Sequence, residues 1–302
     1  MPKSSSGAAI KLTALHGFTG NGLDFSLVRD HLESLWDSNN GITTPYWNLP
    51  SLPGHEPRYE SGYERVLFPE AGISPHIAIS PNSPSTPSNP DEYYGWVKSL
   101  CEQNHNNEKD LNILVGYSLG ARLALLHAVN NPSFWDGIIL ISANPGIIDD
   151  VERESRIVED AELISMIEEK GLKHFLELWK EKPIIQSQKK APKDFLNAMY
   201  KRKEALNTEG IKASLRSFGQ GQFPNLWGKV MSIQSPSLLI SGENDPKYSS
   251  ISSAIVDYND HASHSVIESS GHAPHIEAPK QVAQLIEQFI IKCWLSSTPS
   301  NF

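Results

Sequence analysis

A serine does covalent or proton-transfer chemistry only where its surroundings make it reactive, and Gly116-Tyr117-Ser118-Leu119-Gly120 has the form that does so. A Gly-x-Ser-x-Gly pentapeptide between an apolar strand and an apolar helix makes a sharp turn. Its glycines spare the turn Cβ atoms it has no room for, and the serine Oγ is lifted to a helix N-terminus. The serine still needs a base, and the base needs a carboxylate to orient it. Downstream, Ser237-Leu-Leu-Ile-Ser-Gly-Glu-Asn-Asp-Pro246 carries Asp245 in the loop beyond a strand, with Glu243 as the competing carboxylate. Further on, Glu268-Ser-Ser-Gly-His-Ala-Pro-His275 carries His272 directly after Gly271, with His275 as the rival base. Depth in the loop favours Asp245 and the preceding glycine favours His272. Near the start, His16-Gly17-Phe18 follows the first apolar run; the backbone N–H groups of Phe18 and Leu119 are the expected oxyanion hole.

These residues need a scaffold that brings three loops together. Short apolar runs at 10–15, 46–49, 111–115, 137–142, 237–240 and 265–267 read as strands. The runs at 111–115 and 137–142 are apolar without alternation, as in strands covered on both faces. Helical stretches at 25–36, 91–102, 121–129, 249–258 and 279–295 alternate with them. The fold class is therefore α/β, a doubly wound, mostly parallel sheet, and the chain order Ser, Asp, His is that of the α/β-hydrolase fold. Residues 147–226 differ: charged, helical in period (151–169, 172–179, 193–203, 208–218) and without a strand-like run. They read as a helical cap inserted into a core of 1–146 and 227–302. Residues 56–90, rich in Pro, Ser, Asn and Gly, read as a surface excursion with little regular structure.

The chain has 302 residues and a net charge of −9, its acids dispersed rather than run together. That balance argues against nucleic acid or an anionic membrane as the main partner and leaves room for a local basic pocket. No stretch approaches the roughly 20 apolar residues of a membrane span, and the first residues lack a signal-peptide core, so a cytoplasmic protein is expected. Cys101 and Cys293 make neither a disulfide framework nor a metal spacing. Without a Cys/His cluster or a phosphate-binding glycine loop, no metal and no cofactor are expected. The expected partner is a small molecule, and the assembly a monomer or small homo-oligomer.

Beyond the catalytic motifs, the chain resembles the 2-succinyl-6-hydroxy-2,4-cyclohexadiene-1-carboxylate synthase family of menaquinone biosynthesis. The resemblance rests on Leu15-His-Gly-Phe-Thr-Gly20, Leu49-Pro-Ser-Leu-Pro-Gly-His55, Val115-Gly-Tyr-Ser-Leu-Gly-Ala-Arg-Leu-Ala-Leu125, Gly219-Gln-Gly-Gln-Phe-Pro-Asn-Leu-Trp227 and Gly242-Glu-Asn-Asp-Pro-Lys-Tyr248. Within the cap, Arg153 and Arg156 lie on a segment similar to the family's arginine-bearing helix, and Trp179 and Pro183 match its Trp-x-x-x-Pro. The resemblance implies a lyase that eliminates pyruvate from 2-succinyl-5-enolpyruvyl-6-hydroxy-3-cyclohexene-1-carboxylate. Ser118 would act as a base activated by His272 and Asp245. It further implies that Tyr117, Arg122, Arg153, Arg156, Trp179 and Arg202 contact a polycarboxylate substrate, with Lys203 in place of Arg202 if the register shifts. Ala121 departs from the glycine many members carry. The competing reading is a carboxylic-ester or thioester hydrolase with Ser118 as covalent nucleophile and an apolar acyl pocket. A third, a non-catalytic binder on the same fold, is opposed by the intact triad.

Overall fold

The computed structural model describes residues 9–37, 44–55, 77–78, 87–102 and 109–297. The strands are β1 (Ile10–Leu15), β2 (Tyr46–Asn48), β3 (Ile77–Ala78), β4 (Leu111–Tyr117), β5 (Gly137–Ile141), β6 (Ser237–Gly242) and β7 (Ala262–Ile267). They form one sheet in the order β3-β2-β1-β4-β5-β6-β7, and each neighbouring pair is parallel. The order reverses at β1 and β4, so the loops after these two strands open side by side at the C-terminal edge, where open α/β sheets place their ligands.

The apolar runs follow from double coverage. β4 is buried at every position. Successive side chains go to opposite faces: Ile113, Val115 and Tyr117 enter one apolar cluster and Leu114 the other. β5 does the same, with Ile139 and Ile141 on one side and Ile138 and Leu140 on the other. Helices α1 (Ser26–Asp37) and, near the C-terminus, Pro279–Ser297 cover the first face through Val28, Leu32, Ile286 and Ile290. Helices α2 (Pro90–Glu102), α3 (Leu119–Asn130) and, after β6, Pro246–Tyr258 cover the second through Val97, Leu123 and Ile255. β7 lies at the edge and is only partly covered.

Between β5 and β6 the chain runs through α4 (Asp150–Trp179), α5 (Pro183–Gln186), a 3-10 turn (Ser187–Lys190), α6 (Lys193–Glu204) and α7 (Thr208–Phe218). Asp149 caps α4 by accepting the Glu152 N–H at 2.7 Å. At Gly171 the backbone leaves the helix (φ 82°, ψ 161°), so α4 is two helices meeting at a kink, as the two separate periodic stretches predict. These helices have their own apolar cluster of Ile167, Leu172, Phe175, Leu176, Leu206, Ile211 and Leu215. They are also sewn to the sheet: Phe195 and Met199 of α6 join its first cluster, and Phe218, Phe223 and Leu226 its second.

The remaining helices are α8 (Pro246–Tyr258), α9 (Pro274–Glu277) and α10 (Pro279–Ser297). α5, α9 and the 3-10 turn, four residues each, are too short for periodicity to reveal. α8 starts earlier than its apolar pattern suggests because Asp245 caps it and Pro246 opens it. Within the 56–90 excursion, Ile77–Ala78 adds a strand beside β2 and α2 begins at Pro90. Residues 56–76 and 79–86 lie outside the described residues. Among the described residues no helix is long and apolar enough to cross a membrane.

Candidate active site

Ser118 stands between the last residue of β4 and the first of α3 at φ 52° and ψ −107°, a conformation that costs about 1–3 kcal/mol for a residue with a Cβ. The fold holds it there by two backbone bonds: the Ser118 N–H donates to Ile141 O on β5 at 3.0 Å, and the Arg122 N–H donates to Ser118 O at 3.0 Å. Gly120 shows why the pentapeptide needs its second glycine. A Cβ there would lie 2.0 Å from Leu15 O and 2.5 Å from His16 O, so any side chain would push α3 off the end of β1.

Three loops then converge. His272 Nε2 lies 3.1 Å from Ser118 Oγ, and His272 Nδ1 lies 2.7 Å from Asp245 Oδ2. These partners assign the proton to Nδ1, which donates to the carboxylate, and leave Nε2 to accept from the serine hydroxyl. Asp245 does two jobs, since its Oδ1 accepts the Tyr248 N–H at 3.4 Å as the cap of α8. The rivals are occupied elsewhere. Glu243 is exposed and accepts the Ser269 N–H at 2.8 Å. His275 is buried against Tyr117, ring centroids 4.2 Å apart, and burial lowers its pKa to about 3.

The loop after β1 is braced by two buried histidines. His16 Nδ1 donates to Gly17 O at 2.8 Å and its Nε2 accepts the Leu52 N–H at 2.9 Å. His55 Nε2 accepts the Thr19 N–H at 3.3 Å. Burial lowers their pKa values to about 4 and about 3, so both are neutral props at ordinary pH. Four non-glycine residues among those described have left-handed φ: Thr19, Ser118, Ser142 and Ser269. Each lies just past the C-terminal end of a strand, so the backbone strain gathers at the edge that carries the triad.

A cavity opens over Ser118 between this edge and the inserted helices. Phe18, Tyr117, Leu119, Arg122, Arg156 and Trp179 all line it, as does His272. Arg122 is buried, its guanidinium 5.3 Å above the Phe223 ring, and burial lowers its pKa to about 10, which leaves it charged at neutral pH. Its Nη1 has no hydrogen-bond partner among the described residues. Arg156 also faces the cavity but shares its charge with Asp160, Nη2 to Oδ1 2.9 Å. The Trp179 Nε1 is buried and has no partner among the described residues, and its ring is stacked on Phe175 at 5.4 Å.

Two expected contacts lie elsewhere. Arg153 is exposed and donates from Nε to Gly221 O at 3.1 Å, outside the cavity wall. Arg202 is buried in an ion pair with Asp24, Nη2 to Oδ1 3.0 Å, and does not line the cavity. Its neighbour Lys203 does; burial lowers its pKa, and it has no ion-pair partner among the described residues. Adjacent helical residues point about 100° apart, so the docking angle of α6 decides which of the two meets the cavity. The wall also contains residues that no motif signals: Asp24, Asp160, Gln188 and Ser214, the last two with a buried oxygen that has no partner among the described residues. A serine or glutamine inside a helix or turn has no spacing that marks it.

With that geometry in place, comparison with known proteins is direct. Residues 14–285 match the model of the alpha/beta hydrolase family. The chain belongs to that family. A candidate 2-succinyl-6-hydroxy-2,4-cyclohexadiene-1-carboxylate synthase of Bacillus subtilis is 31% identical over 177 residues, covering 59% of this chain and 65% of the relative. The enzyme of that name from an Enterobacter species is 28% identical over 177 residues, 59% of this chain and 66% of its own length. The chain thus aligns with just under two thirds of these relatives. Among solved structures, MenH from S. aureus superimposes with a TM-score of 0.76 at 22% identity, covering 96% of this chain and 97% of that one. The enol-lactonase of Burkholderia xenovorans superimposes with a TM-score of 0.61 at 13% identity, covering 95% and 93%. At these identities the likeness establishes the α/β-hydrolase fold of the chain.

Proposed function

We propose that the protein eliminates pyruvate from 2-succinyl-5-enolpyruvyl-6-hydroxy-3-cyclohexene-1-carboxylate, giving 2-succinyl-6-hydroxy-2,4-cyclohexadiene-1-carboxylate. One observation carries the reading: the buried guanidinium of Arg122, whose Nη1 has no hydrogen-bond partner among the described residues, lines the cavity over Ser118, and Lys203, which has no ion-pair partner among them, lies on the same wall. A buried, unsatisfied donor costs about 1–3 kcal/mol, more when charged, and a carboxylate-bearing ligand recovers that cost. An apolar acyl chain does not. The names carried by the two relatives support the same product.

In this reading Asp245 holds His272 in the tautomer that accepts the Ser118 proton, and the serine oxygen takes the proton from the ring carbon that bears the succinyl group. That electron pair becomes a ring double bond, the existing double bond moves one carbon along, and the carbon–oxygen bond to enolpyruvate breaks. His272 returns its proton to the leaving enolate, which becomes pyruvate. Negative charge developing on the succinyl carbonyl oxygen is met by the N–H groups of Phe18 and Leu119. Arg122, Lys203 and Arg156, which also line the cavity, hold the carboxylates, with Tyr117 and Trp179 packing the ring. Residues 147–226 act as the cap that carries most of this recognition, and the protein works in the cytoplasm.

The test is pyruvate release from enzymatically generated substrate by the wild type and by Ser118→Ala. Fast release that depends on Ser118 is the expected result. Release no faster than the spontaneous rate, with turnover of p-nitrophenyl esters instead, would overturn the proposal in favour of a hydrolase.

A further inference from the structure

The base sits on a loop, and a loop does not keep a histidine within hydrogen-bond range of a serine unless something holds its backbone. Here the hold is explicit. The Glu277 carboxylate, one turn further along in α9, accepts the Gly271 N–H at Oε2 (2.6 Å) and the Ala273 N–H at Oε1 (3.0 Å). These are the N–H groups of the two residues that flank His272. The His272 carbonyl is held from a third direction by the Ser142 hydroxyl, which donates to it at 2.8 Å. With both flanking N–H groups and its own carbonyl engaged, the His272 backbone has little freedom to rotate its ring away from Ser118.

Glu277 has one more partner, and it comes from the insert. The Ser187 hydroxyl donates to Glu277 Oε1 at 2.8 Å. The same 3-10 turn sends Lys190 Nζ to Ser269 O at 2.5 Å, gripping the start of the His272 loop as well. The approach is close enough to exclude a side chain at residue 271: a Cβ on Gly271 would fall 2.5 Å from Ser187 Oγ. Between Ser187 and Lys190 the turn also faces the cavity, since Gln188 lines it and its buried Oε1 has no partner among the described residues.

We propose that Glu277 is the positioning residue for the histidine base and that Ser187 steadies it from the helical insert. The turn that walls the cavity thus also sets His272 against Ser118. The proposal rests on His272 acting as the base and not on the identity of the substrate. Glu277 touches no substrate and acts only through the loop it holds.

Glu277→Gln keeps the volume but turns an amide N–H toward one of the two peptide N–H groups. Displacement of a reacting group by about 1 Å costs on the order of 10²-fold. The variant should therefore lose about 30- to 100-fold in kcat with KM within threefold of wild type. Ser187→Ala removes only the insert's contact and should lose several-fold in kcat. In a His272→Ala background, Glu277→Gln should change the residual rate by less than twofold, because a group that acts through the histidine has nothing left to position. Wild-type kcat in both variants would overturn the proposal, and so would an equal loss in the His272→Ala background. Should Glu277→Gln fail to fold, Ser187→Ala decides by the same criteria. A wild type that releases no pyruvate overturns the lyase reading alone. The positioning role is then read from solvent exchange of the His272 Nδ1 proton by NMR, expected to quicken at least tenfold in Glu277→Gln; unchanged exchange would overturn it.

Discussion

The C-terminal edge of the sheet and the helical insert face each other across one cavity, and they hold their functional groups by different means. At the edge, position is a property of the backbone. Ser118 is held between two peptide hydrogen bonds and a strained turn, and His272 between Glu277, Ser142 and Asp245. In the insert, position is a property of side-chain partnerships. Arg156 is aimed by Asp160, and Arg202 is taken out of play by Asp24, which leaves Lys203 for the cavity. A hydrogen-bonded sheet places atoms within tenths of an ångström, as proton transfer requires. Long charged side chains on helices tolerate more variation, as recognition of a carboxylate allows. Under the proposed function, chemistry falls to the rigid half and selectivity to the adaptable one.

The sharpest way to break that division is at the rigid half. Asp245→Asn keeps the shape but favours the wrong histidine tautomer, so kcat should fall about 10⁴-fold with KM nearly unchanged in steady-state kinetics. A comparable rise in KM would mean that Asp245 also recognises the ligand. Acid attacks the same half. His16, His55 and His275 are buried neutral with pKa values of about 4, 3 and 3, whereas the insert's one histidine, His174, is exposed. The folded state binds fewer protons than the unfolded chain between these values and about 6.5, so stability is complete above that pH and is lost as pH falls through the window. Together the three should remove about 4 kcal/mol by pH 5.5, seen in urea unfolding at pH 7.5 and 5.5. A flat profile would mean that these rings hydrate without unfolding.

The groups proposed to recognise the carboxylates, Arg122 of α3 and Lys203 of the insert, should respond more gently. Arg122→Lys retains the charge but loses the planar fork, and kcat/KM for the polycarboxylate should fall about 10²-fold. Because Arg122 grows from α3 yet packs on Phe223 beyond α7, a kcat effect without a KM effect would move it to the chemical side of the comparison. Lys203→Met, the smallest change, should raise KM about tenfold with kcat within threefold. If Arg202→Met did the same at unchanged stability, the assignment of cavity cation to Lys203 would be wrong.

Ser118 was legible because the requirement is written as a pentapeptide: the turn admits only glycine where Gly120 meets Leu15 O. Asp245 and His272 were legible because each follows a strand by a short loop, and strand ends meet at one edge of a parallel sheet. The insert's helices were legible in period, even to the break at Gly171, but the faces they turn to the cavity were not. Arg153 and Arg202 carry the right chemistry in the right segments and still point elsewhere, since a neighbouring carbonyl or carboxylate reached them first. Glu277 left no signal, because its role depends on two peptide groups and a serine 90 residues away.

By itself, then, the sequence determined the α/β order of elements, the strained serine turn and the two loop residues, Asp245 and His272, that converge on it. All of these follow from short-range sterics and from the period of apolar residues. Only the tertiary structure decided which cations face the cavity, which are neutralised by Asp24 and Asp160, and what holds the base in place. Those outcomes depend on the rotation and docking of helices against the sheet, where a turn of 100° exchanges one side chain for its neighbour and no local rule selects between them.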